Sequence, residues 1–421
     1  MGILTAFLSH SHDDRETVLS VRRELGKLGI IGWIDRNELA PGISLDEALR
    51  DEISHQSVFV PFLSKASVES EWLKYELSVA LGFFSKSDER RIIPVWLGNS
   101  LELTNRVDAL KSRWVFENRV KKLGIQVEEN SGIQDANRIA EGIATRILKD
   151  QIGTPPSAVF FVDQRGEGGS RVGKPPSLAP VYLDSKEVPV FVFRHDDGER
   201  TKGHMLEPER EGSFDRLVRG IRWTLGKLTL NRGEIPWKLH LRAQAQLAIA
   251  AQLGRMIDRS HDLELWATVP SDRHGEFNVN LGVFSGPPTG GNPDALRIDS
   301  DLGEFDGPRE REVSLFLMPD QKGRLLDARD HVVGIQGPPI LWIPVPERVQ
   351  SNDEVLRIAC DVAAVCERYR IEQVDLYTAL PGHVLPFVIS LLSPHPLLRI
   401  DILEFDREVA RSSYRRYRLV S

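Results

Sequence analysis

Over the first 150 residues, short apolar runs alternate with stretches in which apolar residues recur every three to four positions, and few architectures accept that rhythm. A short unbroken apolar run suits a strand covered on both faces, and an amphipathic helix between two such runs supplies the crossover that parallel pairing requires. The pattern predicts an α/β domain around a parallel sheet. Ile3 to Leu8 reads as the first strand. A helix follows, with Asp13 as N-cap, Glu16 at the capping-box position, and Val18, Val21, Leu25 and Leu28 on one face. Ile30 to Ile34 is the second strand; after Pro41-Gly42, Ser44 and Glu47 open a helix carrying Ala48, Leu49 and Ile53. Ser57 to Leu63, Arg91 to Trp96 and Arg113 to Phe116 read as further strands, with helices over Val68 to Phe84 and Asp135 to Leu148.

Five such units make a flavodoxin-like domain over residues 1–150. A chain of 421 residues exceeds what one core serves. The periodicity stops at Gly153-Thr154-Pro155-Pro156, where paired prolines predict a domain boundary and a second module over 155–421. Its first strand, Ala158 to Val162, runs into a Gly-rich segment, Asp163 to Pro176, made basic by Arg165, Arg171 and Lys174. A faint internal repeat follows. The helix Leu241 to Leu253 feeds the strand Leu263 to Val269, and the helix His383 to Leu392 feeds the strand Leu398 to Phe405. The pairs predict a duplicated α/β unit, with halves at about 155–275 and 276–421.

The net charge of −7 gives the surface no general attraction for duplex nucleic acid or an anionic membrane, so any polyanion must find a local pocket. Cys360 and Cys366 stand six apart in a helical stretch, which fits neither a disulfide framework nor a CxxC metal site. Met1 to Phe7 lacks the basic start and apolar run of a signal peptide, and no run of about 18 apolar residues occurs. The expectation is a cytoplasmic protein without a membrane anchor.

Chemistry concentrates on the helix over Val68 to Phe84. At 100° per residue its polar face is Glu71, Lys74, Ser78 and Ser85, whereas Glu76 falls in the arc of Trp72, Leu73, Ala80 and Phe83 that should face the sheet. A carboxylate there is either paired internally or opens into a cleft. In open α/β sheets ligands bind beyond the carboxyl ends of the strands. Ser9 and His10 end the first strand, Asp35 and Arg36 follow the second, and the helix bearing Trp72 and Glu76 follows the third, so these groups converge at that end. His10, His12 and His55 lack the matching carboxylates or cysteines of a metal site, and no metal is expected.

Ala6-Phe7-Leu8-Ser9-His10-Ser11, then Asp35 with Glu38-Leu39 and Pro41-Gly42, then Ser70-Glu71-Trp72-Leu73-Lys74-Tyr75-Glu76-Leu77, resemble the three signature boxes of TIR domains. Trp72 four residues before Glu76 resembles the WxxxE arrangement of TIR domains that hydrolyse NAD+. The resemblance implies that Glu76 is the catalytic glutamate and that Ser9, His10, Ser44 and Trp72 form the substrate side of the pocket. It also makes the segment Asp35 to Ser44 a mobile BB loop. Trp72 has two readings, a stacking partner for the pyridinium ring or a core tryptophan. NAD+ would be the substrate, with no cofactor. A non-enzymatic adaptor and an enzyme making a cyclised ADP-ribose messenger are the alternatives.

The small-residue helix Ala243 to Gly254, its counterpart after Leu380-Pro381-Gly382-His383, and their order after a TIR-like domain resemble the SAVED domain of cyclic-oligonucleotide-based antiphage signalling systems, which fuses two CARF-like, Rossmann-like halves. A generic Rossmann-like module is the plainer reading. The resemblance implies a silent enzyme switched on by a cyclic oligoadenylate, a trinucleotide by family analogy. Gly382 and His383 lie between a strand, Val374 to Ala379, and a helix, where free N–H groups favour phosphate. With Arg165, Arg171 and Lys174 they are the candidate contacts. Ligand-induced self-association into oligomers or filaments completes the expected behaviour.

Overall fold

The computed structural model describes residues 3–34, 45–83, 91–99, 102–103, 124–127, 133–151, 157–163, 182–183, 186–187, 189–194, 213–230, 237–244, 247–256, 263–271, 275–282, 290–296, 311–319, 322–346, 349, 351–380, 384–392, 398–405 and 414–419. The chain divides into two compact units. The first comprises Met1–Phe161, Gly166–Arg200 and Arg219–Gly233, and the second Val162–Arg165, Thr201–Val218 and Glu234–Ser421.

The first unit opens with strand β1 (Thr5–Ser9), a 3-10 turn (His12–Asp14), helix α1 (Arg15–Lys27) and β2 (Ile31–Trp33). Next come α2 (Leu45–His55), β3 (Val58–Leu63), α3 (Lys65–Glu69) and α4 (Glu71–Phe83). β4 (Val95–Leu97), β5 (Ile125–Val127) and α5 (Ile133–Gln151) complete the domain. The sheet runs β2-β1-β3-β4-β5 with every pair parallel, the flavodoxin order. Every residue of β1 and β3 is buried, as a strand between two helical layers demands. α1 packs on α5 and buries Val18, Val21 and Leu25, while Phe7, Phe59 and Leu63 share a core with Leu73, Leu77 and Ala80 of α4.

Local differences from the sequence reading have local causes. Asp13 is not a helix N-cap. Ser11 precedes a 3-10 turn, and α1 begins only at Arg15, with Asp14 before it making no side-chain cap. The helix expected from Val68 is two helices. Ser64 and Ser67 form a reciprocal capping box that starts α3, and Ser70, with ψ of 119°, interrupts the helix and accepts from the Leu73 N–H at 3.4 Å. The fourth strand spans Val95–Leu97 only, and the fifth is Ile125–Val127; Arg113 to Phe116 lies outside the described residues.

The same unit carries β6 (Ser157–Asp163) up to Phe161, a small hairpin β7 (Tyr182–Leu183) and β8 (Lys186–Glu187), β9 (Val190–Arg194) and the latter part of α6 (Ser213–Leu230). β9 meets the turn after α1. Val192 N–H donates to the Gly29 carbonyl at 2.8 Å, and the Leu4 N–H donates to the Val190 carbonyl at 3.0 Å. Gly29 has φ of +83°, and a Cβ there would lie 2.8 Å from that of Phe191, so both conformation and space select glycine.

The second unit contains β10 (Trp237–Gln244), α7 (Leu247–Met256), β11 (Leu263–Ser271) and β12 (Gly275–Gly282). Then follow β13 (Glu312–Met318), α8 (Lys322–Gly334), β14 (Ile340–Pro344) and α9 (Asn352–Tyr369). β15 (Gln373–Thr378), α10 (Leu385–Leu392), β16 (Arg399–Phe405) and β17 (Tyr414–Arg418) end it. A β-α-β-β arrangement occurs twice. β10 pairs parallel with β11 and β11 antiparallel with β12; β15 pairs parallel with β16 and β16 antiparallel with β17. The second copy belongs to a sheet ordered β14-β13-β15-β16-β17. The duplicated α/β unit is therefore present, although Leu241 to Gln244 belong to β10, Leu241 pairing with Ala267 of β11, and the helix starts at Leu247. Cys360 and Cys366 are buried in α9, and burial pushes the Cys366 thiol up to about 12. No helix among the described residues is long and apolar enough to cross a membrane.

Candidate active site

Two periodicities create the site. Along β1 side chains alternate, so Ser9 shares a face with Phe7, which packs in the core that includes α4. On α4 the positions Leu73, Glu76, Leu77 and Ala80 lie three to four apart on one side, and all four are buried. Glu76 is thus aimed into the same layer as Ser9, at the carboxyl end of β1. Each is 1% exposed, and the Ser9 hydroxyl donates to the Glu76 carboxylate. Phe83, expected on this buried arc, is 45% exposed at the end of α4.

Other polar groups of these elements are tied together. Asp14 accepts from Ser11 at 2.5 Å and from Ser64 at 2.7 Å, which ties the end of β1 to the end of β3. The His10 ring lies 3.1 Å from the Leu8 carbonyl and is half-buried. Trp72 is half-buried against the core, its ring centroid 6.0 Å from that of Tyr75. Arg50 of α2 reaches the Tyr75 hydroxyl at 3.3 Å and lies 5.9 Å from its ring centre. Asp14, Ser64, Tyr75 and Arg50 escaped the sequence reading. The pair Asp13-Asp14 after two serines was the available signal for Asp14, whereas Arg50 reaches Tyr75 only through helix packing.

Among the described residues no group of three or more histidines, cysteines or carboxylates could hold a metal ion. His55 instead pairs with Asp51 on α2 at 3.5 Å. Asp35, Arg36 and Ser44, with the rest of the BB-loop segment, lie outside the described residues, as do Gly382, His383, Arg165, Arg171 and Lys174.

In the sheet of the second unit that holds β13 to β17, Asp375 and Asp401 are buried. Ser314, Asp375, Asp401 and Arg418 occupy facing positions on four neighbouring strands. Arg416 donates to Asp375, and Arg418 lies 3.7 Å from Asp401. Burial pushes the Asp375 carboxyl up to about 6, with Arg416 pulling it down and Glu312 and Asp401 pushing it further up. This cluster lies toward the amino ends of the parallel strands, away from the edge where such sheets bind ligands.

A parallel sheet in the order 2-1-3-4-5, with a carboxylate held at its carboxyl edge, defines a flavodoxin-like domain with a candidate site at that edge. Residues 6–123 match the family model described as TIR domain, and the N-terminal part of the chain is a TIR domain. Over 91 residues the chain is 30% identical to the NAD(+) hydrolase TcpC of Escherichia coli O6:H1 strain CFT073. That alignment covers 21% of this chain and spans 30% of the length of that relative. Among solved structures, the Acinetobacter baumannii Cap4 SAVED/CARF-domain containing receptor with the cyclic trinucleotide 2'3'3'-cAAA aligns at a TM-score of 0.40 and 9% identity, covering 95% of this chain and 96% of that chain. The Moraxella osloensis Cap4 receptor aligns at a TM-score of 0.35 and 10% identity, covering 95% and 97%. These likenesses are slight, and the fold assignment rests on strand order and pairing instead.

Proposed function

We propose that the TIR domain cleaves NAD+ to nicotinamide and ADP-ribose, with Glu76 as the catalytic carboxylate. The observation that carries this is a glutamate on the apolar side of a helix, buried at the ligand edge of the sheet, and buried carboxylates in such places concentrate at functional sites. The reaction suits one carboxylate. Nicotinamide in NAD+ carries a positive charge, so the C1'–N bond breaks with its electron pair going to the ring, and neutral nicotinamide departs without an acid. The anion stabilises the oxocarbenium-like ribose left behind, and water adds at C1' with loss of a proton. The TcpC relative, named as an NAD(+) hydrolase, supports the substrate class.

The second module is read as a SAVED-type sensor whose cyclic oligoadenylate ligand, a trinucleotide by analogy, turns the enzyme on in antiphage defence. Its duplicated α/β unit supports this reading. The test mixes full-length protein with NAD+ and a panel of cyclic di-, tri- and tetranucleotides, then measures nicotinamide. Silence alone, turnover with one ligand class, and a loss of at least about 100-fold in Glu76→Gln are expected. Full turnover by the Gln variant would overturn the assignment of Glu76, and intact NAD+ with every ligand would favour the adaptor. Chromatography distinguishes ADP-ribose from a cyclised isomer.

A further inference from the structure

We propose that Ser9 is a positioning residue for Glu76, acting on the reaction through the carboxylate and not by touching the substrate. The inference rests on the reading of Glu76 given above. Ser9 is buried and its hydroxyl donates to the Glu76 carboxylate, so its one donor is already committed to that group. It is the last residue of β1, opposite Pro61 of β3 in the parallel register, so its backbone is fixed by the centre of the sheet. The glutamate side chain has three rotatable bonds and projects from a helix, and needs an external anchor to keep one orientation. A strand-borne hydroxyl provides one.

The choice of donor also fits the chemistry. A lysine or arginine at position 9 would orient the carboxylate equally well and would cancel much of the charge meant for a developing cation. A hydroxyl orients it and leaves the charge in place. A serine buried in a strand otherwise made of Thr5, Ala6, Phe7 and Leu8 is costly unless its hydroxyl is used, and the carboxylate is what uses it.

The experiment compares Ser9→Ala, Ser9→Cys and Ser9→Thr with Glu76→Gln in the full-length chain, under whichever ligand gives turnover. Cysteine keeps the size of serine with a weak donor, and threonine keeps the hydroxyl at the cost of a methyl group. Loss of the bond should lower kcat by about 10- to 100-fold in the Ala and Cys variants, with the KM for NAD+ changed less than about twofold. Thr should retain most of kcat. Wild-type kcat in both Ala and Cys would overturn the proposal. A loss confined to KM would also overturn it, placing Ser9 on the substrate. Turnover in Glu76→Gln would instead sink the reading beneath it. The Cys variant guards against misfolding of Ala, since a chain that melts like wild type and has lost kcat isolates the missing donor.

Discussion

Asp375 is fully buried on β15, between two strands that pair with it in parallel, and its two oxygens differ. One accepts from Arg416, and the other has no hydrogen-bond partner among the described residues. A proton resolves that imbalance, which is why burial moves the carboxyl from its ordinary 3.8 up to about 6. The sign for stability follows. Between these two values the folded chain holds a proton that the unfolded chain has released, so stability falls as pH rises through that window and levels off above it. Asp375→Asn should flatten that slope, by on the order of 2 kcal/mol between pH 4 and pH 7. Urea unfolding of both proteins at a series of pH values measures it, and parallel profiles would show that Asp375 is not the group responsible. Glu76 is as deeply buried, and there the energetic cost is repaid in activity under the proposed reading.

At the level of elements, the repeated β-α-β-β arrangement meets itself through α7 and α10, which pack closely. Gly254 makes that approach possible, since a Cβ at this position would stand 2.1 Å from the Pro386 carbonyl oxygen. Two effects of Gly254→Ala oppose each other. Alanine favours the helix by up to about 1 kcal/mol, while a methyl group driven into backbone must push the helices apart, at about 1–3 kcal/mol or more. The clash is with a rigid backbone atom, so it wins. The urea midpoint should fall with an unchanged slope, and a midpoint at or above wild type would mean that the two helices separate freely. Helix breaks obey equally local rules. Ser70 divides α3 from α4 and caps the second helix, and this sets the phase that turns Glu76 inward.

For the whole molecule, an enzyme that consumes NAD+ must be silent in a healthy cell, and the proposed reading joins that activity to a sensing module in one chain of 421 residues. If ligand-bound copies complete one another's sites through the BB-loop segment, turnover at saturating ligand should rise more steeply than linearly with protein concentration. Head-to-tail association of unlike surfaces gives open filaments where the rotation does not close a ring, and open assemblies of this kind grow with concentration. Initial rates across a concentration series, paired with sedimentation, make the comparison. Full activity of a sedimenting monomer would refute assembly. Gly42→Arg, within the loop segment, should block turnover while ligand binding survives.

The alternation of apolar runs and amphipathic stretches determined by itself that the N-terminal region is a parallel α/β domain, and 100° of rotation per residue placed Glu76 on the buried side of its helix. The repeat before β11 and β16 was legible for the same reason, since periodicity reports which side of an element is apolar. Periodicity does not report what lies opposite. The fifth strand has only three residues, Ile125–Val127, and becomes a strand by pairing with Val95 to Leu97. Leu241 looks helical in isolation and is strand, where it pairs with Ala267 of β11. The Ser9 hydroxyl meets Glu76 across 67 residues of chain, and Arg416 meets Asp375 across 41. Such partners are decided only when the sheet closes, because a buried polar group is satisfied by whichever atom folding brings within reach, and no local pattern encodes that distance.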